Sequence, residues 1–214
     1  MAFMANKINF QKELDKLLEQ NQREARVPSL FLHSCCAPCS SYVIEYLSDY
    51  FQITVFYYNP NIYPDEEYLH RVKEQQHLIC QIPQKYPVSF LEGDFDKERF
   101  YDMAKGLEKI PEGGERCFQC YRLRLEKTAQ LAKEHGFDYF CTTLSISPLK
   151  NAQKLNEIGE ELADTYGIPW LPSDFKKKNG YKRSVELYGL YRQDYCGCVF
   201  SKKERERQIA SELI

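Results

Sequence analysis

Ile8, Phe10, Leu14, Leu17 and Leu18 recur near helical spacing across residues 7–20 and predict an amphipathic lead-in helix. The polar stretch Asn21 to Arg26 and then Pro28 separate it from the next apolar segment. That segment, SLFLH at 29–33, is short and continuous, and predicts a buried strand. Cys35 and Cys36 sit at its carboxyl end. Pro38 loses nothing in a first helical turn, where its missing N–H has no partner to find, and predicts a helix to about Ser48. ITVFYY at 53–58 predicts a second strand, closed by the turn Asn59-Pro60-Asn61. Pro64 and the acidic residues after it open a long helix that carries Leu69, Val72, His77, Leu78 and Cys80. A third strand is predicted at 88–92, a short helix around Lys97 to Lys105, and a helix from Cys120 to His135 with Gly136 as its C-cap. DYFCTTL at 138–144 predicts a fourth strand. A helix from Asn151 to Tyr166 is stopped by Gly167 and succeeded by the strand-like IPWLP. The tail predicts a helix over Tyr181 to Tyr191, then Cys-Gly-Cys, then a charged helix from Ser201.

Strands alternating with helices over short connections predict a parallel sheet covered on both faces. The expected fold is one doubly wound α/β domain over 28–214 with C-terminal helical additions, preceded by the lead-in helix at 1–27. Ligand sites in such sheets lie beyond the carboxyl ends of the strands. Cys35 and Cys36 lie at one such end, and Thr142-Thr143 at another.

A length of 214 residues suffices for one well-buried core. The apolar runs are too short to span a bilayer, so no membrane association is expected. The N-terminus has charges where a secretion signal would be apolar, so a cytosolic location is expected. In a reducing compartment the odd count of nine cysteines argues for metal binding or redox chemistry rather than a disulfide scaffold. Seven of the nine fall in three groups: Cys35, Cys36 and Cys39; Cys117 and Cys120; Cys196 and Cys198. Cys80 and Cys141 stand alone and read as core cysteines.

Cys117-Phe-Gln-Cys120 is a C-x-x-C at a helix start, where the helix dipole favours thiolates. By itself it fits half a zinc site, a redox pair or half a cluster site. Adjacent cysteines such as Cys35-Cys36 rarely chelate one zinc together, whereas a cluster presents separate iron corners to neighbouring thiolates. Two plus two gives the Cys₄ set of an iron–sulfur cluster, with structural zinc as the alternative. Cys196-Gly-Cys198 fits either edge-on binding of a metal or a strained, easily reduced disulfide. Cys39, one turn beyond Cys35, is the natural third thiol for that pair.

Four segments carry a resemblance to a known family: LHSCCAPCS at 32–40, RCFQCYRLRL at 116–125, CTTLSISPLKN at 141–151 and YGLYRQDYCGCVFS at 188–201. Together, and in this order, they resemble the QueH family of epoxyqueuosine reductases over nearly the whole chain. The resemblance implies the last step of queuosine synthesis, in which the cyclopentane epoxide at the tRNA wobble position loses its oxygen and becomes an alkene. It implies a Rossmann-like fold related to nucleotide α-hydrolases. No Gly-rich phosphate loop succeeds the first strand, so ATP use is not expected. It further implies a [4Fe–4S] cluster held by Cys35, Cys36, Cys117 and Cys120. Cys196 and Cys198 would be redox-active or would ligate an additional iron. Some members of the family carry Asp where this chain has Cys39, and either residue could ligate that second iron.

On this reading the catalytic thiols are Cys196, Cys198 and Cys39, and an unidentified donor supplies the electrons. The epoxide oxygen needs a Lewis acid or a proton donor, the latter being Tyr195, Asp194 or water. His33, beside the cluster ligands, could tune them by a hydrogen bond. Residues from Ser173 to the end carry ten Lys or Arg against six Asp or Glu. The expected contacts to tRNA are Lys176, Lys177, Lys178, Lys182, Arg183 and Arg192, with Arg122 and Arg124. Tyr57, Tyr58, Tyr63, Tyr181, Tyr188 and Tyr191 are candidate base-stacking platforms. Two other classes use the same residues: a zinc-dependent RNA-interaction protein and a metal-free thiol–disulfide oxidoreductase.

Overall fold

A computed structural model describes residues 8–192 and 194–212. Four strands form one sheet in the order β3-β2-β1-β4: β1 (Ser29–His33), β2 (Gln52–Tyr57), β3 (Val88–Glu92) and β4 (Tyr139–Thr142). All three pairings are parallel, with Leu30 opposite Ile53 on one side and Tyr139 on the other. Leu30, Phe31 and Leu32 are all fully buried. A central strand covered on both faces has no solvent side, which is why its sequence is a continuous apolar run rather than an alternation. β3, at the edge, is the most exposed strand.

The strand order reverses direction at β1. β2 and β3 are added on one side of it and β4 on the other, so a crevice opens beyond the carboxyl ends of β1 and β4. The site is built there. α2 (Ala37–Leu47) leaves β1 at this crevice, with Cys36 in its N-cap position and Pro in the first turn. α5 (Glu115–Glu134) precedes β4 and, in a parallel α/β layout, starts at the same end.

The other helices are α1 (Phe10–Arg23), α3 (Asp65–Gln81), α4 (Lys97–Ala104), α6 (Ala152–Tyr166), α7 (Gly180–Glu186) and α8 (Val199–Glu212). α1 is capped by the Asn9 side chain and sends Leu14 and Leu18 into the same core as the central strands. Its Asp15 meets Lys178 at 2.7 Å and Tyr46 at 3.3 Å. α6 ends on Gly167 in the left-handed region, as its sequence predicts. Gly159 in α6 leaves room for Trp170: a Cβ there would come within 2.3 Å of the indole. No described helix is long and apolar enough to cross a membrane.

Several boundaries differ from expectation. α5 begins at Glu115, not at Cys120, because Gly114 serves as its N-cap and draws both cysteines into the helix. β4 ends at Thr142, and a 3-10 turn takes over at Thr143–Ile146. IPWLP forms a single parallel bridge, Trp170 to Phe140. α7 stops at Glu186 because Tyr188 and Gly189 both adopt positive φ, which ends any helix. α8 starts at Val199, before the expected Ser201. Cys80 is exposed on α3 rather than in the core, whereas Cys141 is fully buried.

Candidate metal centre

Each cysteine group sits at the N-terminal end of a helix. Cys35 and Cys36 precede α2 and Cys39 lies in its first turn; Cys117 and Cys120 occupy the first turns of α5; Cys196 and Cys198 precede α8. Helix N-termini offer unpaired N–H groups and positive partial charge, both favourable to thiolates. Two backbone amides take up the offer. Gly113 N–H donates to Cys117 Sγ at 3.3 Å, and Ser201 N–H donates to Cys198 Sγ at 3.4 Å.

The sulfurs of Cys35, Cys36 and Cys39 lie within 4.8 Å of one another and are the one group among the described residues tight enough to share an ion. Hydrogen bonds from Cys36 and Cys39 hold the Cys35 thiol well below its ordinary range. The same sharing pushes Cys36 up to about 12 and Cys39 up as well. One negative charge is thus spread over three sulfurs; a bound cation would let all three ionise. On the opposite wall Cys120 and Cys198 pack together with Phe100 and Leu123. Burial pushes Cys120 up to about 12 and raises Cys117 and Cys198. By proximity, then, Cys39 stands with Cys35 and Cys36, Cys198 stands with Cys120, and Cys196 lines the cleft over the first group.

Two cations join these walls, and sequence reasoning assigned neither to the centre. Arg124, one turn along α5 from Cys120, is 2 % exposed. Its Nε donates to Cys120 O at 3.1 Å and its NH1 to Asn59 Oδ1 at 3.4 Å. Burial opposes its charge, but the sulfurs of Cys120, Cys196 and Cys35 outweigh that penalty. Lys150 donates from Nζ to Cys196 Sγ at 3.1 Å. Burial opposes its charge too, and Cys196, Tyr121 and Cys35 more than offset it. Neither cation has an Asp or Glu ion pair among the described residues. A third, Arg71, is paired with Glu67 at 2.6 Å and lies against the Cys-Gly-Cys loop. Gly197 has φ +117, and a Cβ there would come within 2.8 Å of the Arg71 guanidinium.

A cleft of about 310 Å³ opens over this centre, lined by Cys35, Cys39, Cys196, Lys150, Arg71 and Tyr195 among others. Tyr195 donates its hydroxyl to Tyr63 O at 2.8 Å, and Tyr63 N–H donates to Gly197 O at 2.8 Å. These two bonds strap the C-terminal loop over the cleft. Asp194, the other expected proton donor, is exposed and paired with Arg205 at 3.2 Å. His33 is fully buried and does not reach a sulfur: Thr142 Oγ1 lies 2.9 Å from Nδ1 and Tyr58 O lies 3.2 Å from Nε2. A carbonyl only accepts, so Nε2 carries the proton. Burial lowers the imidazole pKa to about 3, and the ring braces β1 to β4 as a neutral group.

Below the Cys35-Cys36 turn, Ser34 and Ser40 both donate to Gln75 Oε1, at 2.7 and 2.8 Å, and Asn59 Nδ2 donates to Ser34 O at 2.8 Å. This buried network fixes the turn from beneath.

The expected RNA contacts divide. Lys176 donates to Ser145 O and Lys150 O, Lys178 pairs with Asp15, and Arg183 pairs with Glu45. Arg192 lines the cleft and donates to Ser184 O. Lys177 is exposed at the rim of a second cavity of about 440 Å³. Arg122 is paired with Glu161, and Arg124 is buried, so Arg124 does not face an RNA. Tyr57 and Tyr58 are buried and cannot stack on a base, whereas Tyr63, Tyr181 and Tyr191 are exposed.

Fold and site together define a class: a doubly wound α/β protein whose topological switch point carries a thiol centre flanked by buried cations and capable of holding metal. The family model described as epoxyqueuosine reductase QueH matches residues 30–204. An epoxyqueuosine reductase QueH from Staphylococcus epidermidis is 46% identical over 209 residues, covering 94% of this chain and 88% of the relative. The protein of that name from Streptococcus pyogenes is 45% identical, covering 92% and 79%, and that from Thermotoga maritima is 34% identical, covering 85% and 94%. The chain belongs to the epoxyqueuosine reductase QueH family.

Proposed function

We propose that this chain is an epoxyqueuosine reductase that uses a [4Fe–4S] cluster held by Cys35, Cys36, Cys117 and Cys120. In net terms the epoxide takes two electrons and two protons, both C–O bonds break, and an alkene and water result. The cluster, when bound, supplies electrons one at a time from an external donor.

The observation that carries the reading is the pair of cations, buried Arg124 and half-buried Lys150, that face the thiols without a carboxylate partner among the described residues. A buried guanidinium or ammonium costs several kcal/mol unless an anion faces it. Arg124 and Lys150 face thiols and a phenol. Neutral thiols cannot balance them, whereas an anionic metal–thiolate centre does. The donor set fits such a centre, since all of its ligands are soft sulfurs.

The chain's own residues then have distinct tasks. Lys150 directs its ammonium into the cleft, where it can donate a hydrogen bond to the epoxide oxygen as negative charge develops there. Cys196, Cys198 and Cys39 form the catalytic edge, either as redox thiols or as ligands of an additional iron. The strap from Tyr63 to Gly197 and Tyr195 holds that edge over the cleft and limits water. Exposed Lys177 and cleft-lining Arg192 would meet the phosphates of the tRNA anticodon arm.

The test is direct. Protein loaded with iron and sulfide without oxygen, then reduced chemically, is incubated with tRNA bearing epoxyqueuosine, and the digested RNA is analysed by mass spectrometry. The expected product is a nucleoside lighter by one oxygen. Equal conversion by zinc-loaded or metal-stripped protein would transfer the reading to thiol chemistry, and no conversion by loaded protein would end it.

A further inference from the structure

Arg124 is a deeply buried charge beside the thiols, and its position results from the helix. It is four residues after Cys120 on α5, so both project from the same face. Its backbone carbonyl accepts from Thr128 Oγ1 at 2.7 Å, and its Nε and NH1 are held by Cys120 O and Asn59 Oδ1. The guanidinium is therefore fixed in place, 2 % exposed, between Cys120, whose carbonyl it holds, and Asn59, whose amide holds the Ser34 carbonyl next to Cys35. No carboxylate among the described residues pairs with it. Arginine stays protonated at all accessible pH values, so this is a permanent positive charge.

We propose that Arg124 sets the reduction potential of the metal–thiolate centre, raising it by favouring the form that carries one more electron. This rests on the reading of the centre as a cluster. Reduction adds one negative charge and changes no ligand or proton, so a fixed positive charge in a low-dielectric site stabilises the reduced form more than the oxidised one. Arg124 is a positioning residue in this sense: it acts on the electron through the field at the sulfurs and touches no substrate. Lys150 differs, because it opens into the cleft and can turn to substrate.

The experiment is a potentiometric titration of the cluster-loaded protein with mediator dyes, monitored by electron paramagnetic resonance. Arg124→Gln removes the charge and keeps a donor. It is expected to lower the ratio of reduced to oxidised centre at a fixed applied potential tenfold or more, a shift of about 59 mV for one electron. Arg124→Lys keeps the charge and is expected to change that ratio by less than threefold. Thr128→Val removes the hydroxyl bonded to the Arg124 carbonyl but not the charge; it is expected to leave the potential in place. A loaded Arg124→Gln protein with the wild-type potential overturns the proposal. So does an Arg124→Lys shift as large as the one expected for Gln, which decides the matter even where Arg124→Gln does not fold. Equal shifts in Thr128→Val and Arg124→Gln would trace the effect to packing and overturn it too. If the wild-type protein binds no iron and sulfide, the cluster reading falls first and this proposal with it; measuring iron and sulfide before the titration separates that outcome from the others.

Discussion

Single side chains divide the labour at the crevice. Cys198 packs with Cys120, whereas Cys196 lines the cleft beside the Cys35–Cys36–Cys39 group. Replacing both with Ser is expected to abolish turnover while iron, sulfide and the cluster absorption remain; full activity in the double variant would remove them from the catalytic edge. Among the lysines of residues 176–178, burial and pairing make a sharper forecast than the sequence run did. Lys177→Ala should reduce the salt dependence of tRNA affinity by about one unit of slope, as loss of one phosphate contact does. Lys178→Ala should leave that slope in place and loosen α1 instead, since its ammonium is committed to Asp15. The cysteines were legible as candidate ligands because thiols cluster in sequence at spacings that chemistry recognises. Arg124 and Lys150 were not. A basic residue in a polar sequence context reads as surface, and only the packed fold shows that one is sealed in the core and the other points at Cys196.

At the scale of elements, the centre depends on how α5, α6 and α8 are held. Arg116, in the first turn of α5, is 1 % exposed. It donates to Glu108 O and Ile110 O and pairs with Glu204 of α8 at 2.8 Å. Glu204 also accepts from Glu112 N–H at 2.9 Å. One side-chain pair thus pins together the loop before Cys117, the helix that carries it and the helix that comes after Cys198. Arg116→Ala is expected to cost about 1–3 kcal/mol through carbonyls and a carboxylate left unpaired. It should also speed iron loss to a chelator, measured by absorbance. Gly159→Ala drives a methyl into Trp170 and should cost about 1–3 kcal/mol by overpacking. Trp170 is the chain's one tryptophan, so its fluorescence would report the shift directly. Reading of local start and stop signals placed α3, by Pro64 and the acidic residues after it, and α6, by Gly167. It missed the start of α5 because Glu115 to Gln119 carries a cysteine and charges where a core stripe would show, and only the Gly114 cap marks the boundary.

For the whole molecule, the parallel sheet was legible from alternation alone. The strand order was not, because nothing local to a strand states its neighbour. That order matters most, since the reversal at β1 is what opens the crevice where the three cysteine groups meet. The lead-in helix also proves to be continuous with the domain core through Leu14 and Leu18. Deleting residues 1–27 is expected to cost about 3–6 kcal/mol for those two side chains, seen as a lower denaturant midpoint. The strap that closes the cleft has a consequence for how the protein is made. Gly197, seated on Arg71 and bonded to Tyr63, leaves the ribosome well after its seat does. The nascent polypeptide can fold its sheet and present Cys35, Cys36, Cys117 and Cys120 while the final thiols are still unsynthesised. The centre is therefore completed only after the residues of the sheet and of the two earlier cysteine groups have been synthesised.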